Sequence, residues 1–438
     1  MLRDRLPLAA LALPLLVLGP APLHASAPEP LVRVLLQEAP TVRLAAVTVP
    51  VQLRDDSGRA LLTLRPGEGL TARLGDGQLL LQRLPLGAAE PNLEGGALRL
   101  ELRALWLDPQ TEAPGTAAVA LGERSYRGRL QLRPGAGALQ VINHVGVENY
   151  LPGVVASEMP PSWPQAALRA QAIAARTYAL RQRRPDAAYD LRATTASQVY
   201  GGLQAETEST RQAVAATRSL VLLHGGQLIN AVFHSSSGGR TENSGELWTS
   251  QLPYLVSVDD GDSQSPVHRW RERFGPQQLQ QAFPEIGGLI DLQVLSTSST
   301  GRLRQLKLQG PVGSLVLTGA ELRQRLKLRS TQLTLTLERP LAAQLPESLQ
   351  VVPVEPPPVD SASGAGADPV LAATTAPRPF PVRSPAPRPS LVVEGRGFGH
   401  GVGLSQWGAY AMALKGASDD RILRHFYRGV EIQPLQRP

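Results

Sequence analysis

Glu158 lies in the run Val155-Ala156-Ser157-Glu158-Met159-Pro160-Pro161, a lone carboxylate set between apolar residues and two prolines. The prolines bias Met159 and Pro160 toward extended backbone, which predicts that Glu158 sits in a rigid turn and not within a helix. A carboxylate held against Val155, Met159 and Trp163 is poorly solvated, so its pKa rises toward the range of a general acid. Taken alone, a glutamate ahead of a helix more often caps it or stays in water.

Three further patches concentrate polar residues and glycines. They are Thr194-Thr195-Ala196-Ser197-Gln198-Val199-Tyr200-Gly201-Gly202, the run from Val232 through His234-Ser235-Ser236-Ser237-Gly238-Gly239 to Thr241, and Gly395 to Ala409. His234 beside serines suggests nucleophilic catalysis, but no G-x-S-x-G elbow exists and sequence neighbours rarely form that geometry. The histidines are scattered, with no HExxH and no cysteine partner, so no metal site and no cofactor is expected. The third patch gives neither G-x-G-x-x-G nor a phosphate-loop Lys-Ser/Thr pair. The alternating glycines from Gly395 to Gly403 strip one face of an extended segment, and that spacing serves tight internal packing as well as ligand contact. His400, Ser405 and Gln406 at its end favour a ligand, and a helix N-terminus near Ser405 can receive an anion.

The elements that position these residues can be read from pattern. Ser162 is placed to cap a helix, and Pro164 fits its first turn. Ala166, Ala167, Ala170, Ala172, Ala174 and Ala175 then make a strong helix former with little bulk, suited to close packing. Before it, Leu31 to Leu36, Val47 to Leu53, Ala60 to Leu64, Gln78 to Leu84 and Ala97 to Ala104 read as strands. Asp55-Asp56-Ser57-Gly58 and Gly75-Asp76-Gly77 are turns between them. Tyr126 to Leu132 and Ala138 to His144 form a hairpin that delivers the chain to Tyr150. A second helix is expected from Glu206 to Ser219, a strand pair from Ser219 to Val232, and a strand from Leu391 leading to a helix near Ser405. Between Pro340 and Pro389 the composition turns to Pro, Ala, Ser and Val, which predicts a disordered insertion.

The 438 residues, 42% hydrophobic, allow a sizeable core, and a net charge of +7 favours acidic partners. Arg3 and Arg5, the apolar run Leu6 to Leu18 and Ala25-Ser26-Ala27 read as a secretory signal peptide. That places the mature protein secreted, periplasmic or in the cell envelope, with no later membrane span and no nucleic acid as partner. The absence of cysteine excludes disulfides and thiolate chemistry.

The run Tyr150 to Tyr178, YLPGVVASEMPPSWPQAALRAQAIAARTY, closely resembles the SpoIID/LytB family, as do the three patches. The resemblance covers about Tyr126 to Val430 apart from the insertion. It implies an α+β protein. Residues 1–27 would be the leader, 28–125 a β-rich region, 126–339 and 390–438 two parts of the family domain, and 340–389 the insertion. It implies one of two functions. The favoured one is a lytic transglycosylase that cuts MurNAc-GlcNAc peptidoglycan strands, a reaction for which one carboxylate suffices because the substrate's own hydroxyl is the nucleophile. The alternative is a non-catalytic, glycan-binding enhancer of a cell-wall amidase. Glu158 and Arg176 are carried over as catalytic, with Arg176 expected to hold substrate oxygens at some distance from Glu158. Candidate substrate-binding residues are Ser157, Tyr178, Ser197, Gln198, Tyr200, His234, Ser235, Ser237, Gly238, Gly239, Gly399, His400, Gly401, Gly403, Ser405 and Gln406. Family members that carry zinc use cysteine ligands, which this chain lacks. Gln332 to Leu337 is expected to pair with Leu391 to Glu394, because those segments lie close in sequence in the family.

Overall fold

The computed structural model describes residues 29–75, 78–84, 98–100, 103–111, 118–339 and 388–435. The expected leader, Asp76 and Gly77 of one expected turn, and all but the last two residues of the 340–389 insertion lie outside the described residues.

Short leucine- and valine-rich runs bounded by turn residues build the front of the chain into two sheets. The larger orders the strands Leu191–Arg192, Leu31–Ala39, Leu139–Gly146, Arg129–Pro134, Leu105–Pro109, Val51–Arg54 and Ala60–Leu64. The other runs Arg124–Arg127, Ala118–Leu121, Thr41–Ala46, Gly69–Gly75, Gln78–Leu84 and Leu98–Leu100. Alternation sets the faces: Val32 and Val34 of one strand, and Val51 and Leu53 of another, are fully buried. The expected hairpin forms, with Leu132 opposite Val141, but Tyr126 belongs to the preceding strand. The strand expected from Val47 starts only at Val51, and Val47 itself is exposed. Leu31–Ala39 also pairs in parallel with Leu191–Arg192, which ties the front sheet to the segment carrying Ser197.

The hairpin leads straight into helix α1, Val147–Glu158. Here the structure corrects the sequence reading, for Glu158 is the last residue of a helix and not part of a turn. Pro152 and Gly153 argue against a helix locally, yet Tyr150, Leu151, Val154 and Val155 are fully buried on it, and that burial prevails. The extended backbone of Met159 and the two prolines then end it. Helix α2, Gln165–Arg181, follows; Pro164 occupies its N-cap position, so the cap expected at Ser162 does not form. Ala167, Ala170, Ala172, Ala174, Ala175 and Ala179 are wholly inaccessible, because α2 is enclosed by neighbouring elements.

Those neighbours are α1, α3 (Glu208–Ala216), the strand Leu220–His224, and two late helices. Helix α3 is shorter than expected and opens on a Thr207/Thr210 capping box. After it come α4 (Ser244–Leu247), α5 (Pro276–Ala282), α6 (Gly319–Leu326), α7 (Gln406–Leu414) and α8 (Asp419–Phe426). Helices α7 and α8 are the late elements packed on α2. Among the described residues no helix is long and apolar enough to cross a membrane.

A second core, built on Trp270, Phe283, Leu306, Leu322 and Val393, gathers α5, α6 and two three-stranded sheets. In one of them Leu333–Glu338 runs antiparallel to Ser390–Arg396, Leu335 facing Val393, which is the expected pairing. Glu338 stands opposite Ser390, so the chain leaves and returns at adjacent points around the Pro-rich stretch.

Candidate active site

The C-terminal end of α1 opens into a cleft of about 660 Å³ lined by Glu158, Tyr178, Thr195, Ser197, His234, Ser235, Trp248, Arg323, Phe398, Gly399, His400 and Gln406, among others. All three polar patches therefore meet at the glutamate. Glu158 is half-buried and anchored at both oxygens. Oε1 accepts from the Val199 backbone N–H at 2.8 Å, and Oε2 accepts from Gln406 Nε2 at 3.3 Å. Burial raises its pKa above the usual carboxylate value, and the bonds from Val199 and Gln406 oppose but do not cancel that rise. It is the one carboxylate among the residues lining the cleft.

The two cleft histidines are held neutral. His400 accepts at Nδ1 from the Val402 N–H at 3.1 Å and donates from Nε2 to the Phe233 carbonyl at 2.9 Å, and burial lowers its pKa to about 4. His234 Nδ1 meets the Val402 carbonyl at 3.2 Å. A carbonyl only accepts, so Nδ1 carries the proton and Nε2 presents a lone pair. That nitrogen is buried without a partner among the described residues. Burial, with His400 and Arg302 nearby, holds the His234 pKa well below its ordinary value. Neither ring is a proton donor to a leaving group near neutral pH; the free Nε2 of His234 is suited to accept from a hydroxyl or amide group, while His400, engaged at both nitrogens, braces the Phe233 and Val402 backbone.

Two exposed aromatic rings that sequence reasoning did not propose flank the cleft. Trp248 is 38% exposed and Phe398 45%, and the Trp248 ring lies 5.9 Å from that of His400. Their apolar faces suit the flat sides of sugar rings. A tryptophan in a Ser/Thr/Gly-rich loop was the available signal for the first. On the glycan-cutting function that the resemblance implies, Trp248→Ala is expected to raise KM about tenfold with kcat little changed, since it removes contacts made equally in ground and transition states; steady-state kinetics on solubilised strands checks this.

Several predicted site residues lie beneath the cleft and not in it. Gln198 is fully buried, accepting from the Tyr150 hydroxyl at 3.1 Å and donating to the Ala175 carbonyl at 3.2 Å. Tyr200 packs in the core against Tyr150 and Tyr126. Ser157 donates to the Gly153 carbonyl and accepts from the Gly201 N–H, which fixes the Val199 loop to α1. Ser237 donates to Asp260 at 2.6 Å, and the Gly238 N–H to Asp262 at 2.8 Å. Gly239 accepts from the Asp260 N–H at 3.0 Å. Ser405 caps α7 through the Gly408 N–H and is fully buried.

Near the α7 N-terminus, where an anion was expected, the protein places a carboxyl group of its own. Asp260 lies against Gly408 and Ser405, and burial with the neighbouring Asp262 charge pushes its pKa up to about 6. The alternating glycines are likewise packing devices. Gly399 has φ +112 and Gly401 φ +84, and an added Cβ would stand 2.7 Å from the His234 Cβ and 2.2 Å from Arg302 Nη2. Their bare faces meet this chain's own atoms, as does that of Gly403 against Val232; of these three only Gly399 lines the cleft.

Arg176 is a clear correction. Its side chain is fully buried and paired bidentately with Glu148, at 3.0 and 2.7 Å, and it also donates to the Leu220 and Val214 carbonyls. Glu148 is ten residues before Glu158 on α1, roughly 15 Å along the axis at the helical rise. Arg176 and Tyr178 leave α2 in different directions, and only Tyr178 reaches the cleft. Its guanidinium holds α1, α2 and the start of the Leu220–His224 strand together and is not available to substrate.

Residues 135–224 match the family described as SpoIID, stage II sporulation protein. The chain is 30% identical over 318 residues to the stage II sporulation protein D of Bacillus subtilis (strain 168), spanning 67% of this chain and 76% of that protein. This chain belongs to the SpoIID family. The family member is also 30% identical over 306 residues to the amidase enhancer of the same organism, covering 64% of itself but only 40% of that longer relative. A 28% identity over 315 residues to an uncharacterized protein of Brachyspira hyodysenteriae covers 71% of this SpoIID-family chain and 73% of the other.

Proposed function

We propose that this protein is a lytic transglycosylase of the cell envelope that cleaves the MurNAc-GlcNAc bond of peptidoglycan strands, with Glu158 as its single general acid and base. The observation that carries the reading is one carboxylate of raised pKa in a cleft with aromatic rims and no second carboxylate in its lining. An ordinary glycosidase needs a pair of them, one to act on water or carbon. In the scheme here the Glu158 carboxyl gives its proton to the departing glycosidic oxygen as the bond to muramic C1 breaks. The resulting carboxylate then takes the proton from the muramic C6 hydroxyl as that oxygen closes on C1. Atoms balance without water, and Glu158 ends protonated as it began. Val199 and Gln406 hold both carboxyl oxygens in place, while His234 Nε2, Ser197 and Tyr178 offer hydrogen bonds to N-acetyl and hydroxyl groups.

The name of the longer relative, amidase enhancer, motivates the second reading, a glycan-binding partner of a cell-wall amidase that does no chemistry. Purified, peptide-free glycan strands incubated with wild type and with Glu158→Gln separate the two. Soluble fragments released by the wild type alone support the enzyme; strands bound by both proteins and cut by neither support the enhancer.

The pH profile offers a further check. Gln406→Leu removes one of the bonds that lower the Glu158 pKa, so the carboxyl stays protonated to higher pH. The descending limb of kcat against pH, which reports loss of that proton in the complex, is expected to move upward in pH relative to wild type. A limb that stays in place would show that another group sets it.

A further inference from the structure

Arg323 belongs to the second core, in the last turn of α6, yet it lines the cleft together with Glu158, Trp248 and His400. Its Nε donates to the Leu328 carbonyl at 3.2 Å. Beyond that bond it makes no ion pair among the described residues, unlike its neighbours: Arg325 pairs with Glu285 at 2.7 Å and Arg329 with Glu272 at 3.6 Å. The groups around it supply no anion either. Arg302 and His400 lie near, one a cation whose own partner is Glu242 and the other neutral, and both oxygens of Glu158 are engaged by Val199 and Gln406. Burial without a counter-ion costs this guanidinium, as the lowering of its pKa shows. A half-buried arginine that lines a cleft and has no ion pair among the described residues suits a planar carboxylate.

We propose that Arg323 receives the carboxylate of an acidic sugar, the lactyl group of MurNAc, so that the cleft selects an anionic glycan over a neutral N-acetylglucosamine polymer. The inference rests on the glycan reading of the site and adds to it the residue that distinguishes the two sugars. On strands freed of stem peptides the lactyl carboxylate is exposed and sits on the residue whose C1–O bond is to be cut, so an anchor at Arg323 also fixes which of the two alternating linkages faces Glu158. It would make Arg323 a specificity determinant contributed by the second core to a site whose acid comes from α1.

The test is calorimetric titration at low ionic strength of a peptide-free GlcNAc-MurNAc oligomer and of a chito-oligosaccharide of equal length. The Glu158→Gln protein prevents turnover, with and without Arg323→Gln or Arg323→Lys added. The expected result is an acidic oligomer bound about tenfold or more tightly than the neutral one. Arg323→Gln should abolish that preference while leaving chito-oligosaccharide affinity intact, which also shows that the variant is folded, and Arg323→Lys should restore part of it. Equal affinity for both sugars with Arg323 present, or loss of both sugars together in Arg323→Gln, overturns the inference and leaves the glycan reading standing. Failure of the Arg323-containing protein to bind either sugar overturns both.

Discussion

Glu158→Gln is expected to reduce release of fragments from glycan strands by about 10²- to 10⁴-fold, the range associated with a positioned general acid, while binding of the strands persists. The amide can still accept from Val199, and the Gln406 side chain can turn to accept from its N–H₂, so the cleft keeps its shape. The same substitution carries a stability signature. Burial raises the folded-state pKa of Glu158 above its unfolded value, so the folded protein holds that proton more tightly than the unfolded chain does. The favourable contribution is complete below the unfolded value, about pH 4 for a glutamate, and is lost as pH rises through the folded one. Glu158→Gln should therefore melt at a higher temperature than wild type at pH 8 and show little difference near pH 4. Melting curves at the two pH values check this; a lower melting temperature at pH 8 would mean that the carboxylate stabilises the fold instead of being held there against it.

Arg176→Leu is expected to destabilise the protein by roughly 3–5 kcal/mol, because removing one partner of a buried bidentate pair strands the other in the core. Glu148 would keep its bond from the Ser219 N–H but lose its counter-ion. Replacing both, Glu148→Leu with Arg176→Leu, should recover much of that loss, since apolar residues of similar size can fill a buried pair's place. Denaturant unfolding of the single and double variants measures it. The double variant also decides whether Arg176 takes part in the chemistry: if it is structural, the refolded double protein cuts glycan within severalfold of wild type. A stable but inactive double variant would return Arg176 to the reaction.

Much of the site was legible because its residues fall in dense polar patches, and the chain brings Glu158, Ser197, His234, His400 and Gln406 to one cleft. What failed to read through was direction. Gln198 and Tyr200 stand in the same patch as Ser197, but alternation along the segment turns them into the core, where Tyr150 meets both. Arg176 stands two residues before Tyr178 on α2 and so projects from another face. Helix α1 was missed because Pro152 and Gly153 speak against it locally, while the burial that holds it comes from strands and helices distant in sequence. Trp248 and Arg323 lie in stretches with no motif; Arg323 in particular is one arginine of several around α6, and only the cleft singles it out. The strand pairing across the Pro-rich stretch, by contrast, was anticipated from the family resemblance, in which the two segments lie close in sequence, and it forms with Leu335 opposite Val393.

The most direct test of the account is the mass of the fragments released from purified glycan strands in water enriched in heavy oxygen. If Glu158 works alone and the muramic C6 hydroxyl closes the ring, each new end is an anhydro sugar, one water lighter than a reducing end, and carries no heavy oxygen. Reducing ends labelled from the solvent would contradict it, because water, and not the muramic C6 hydroxyl, would then have attacked C1.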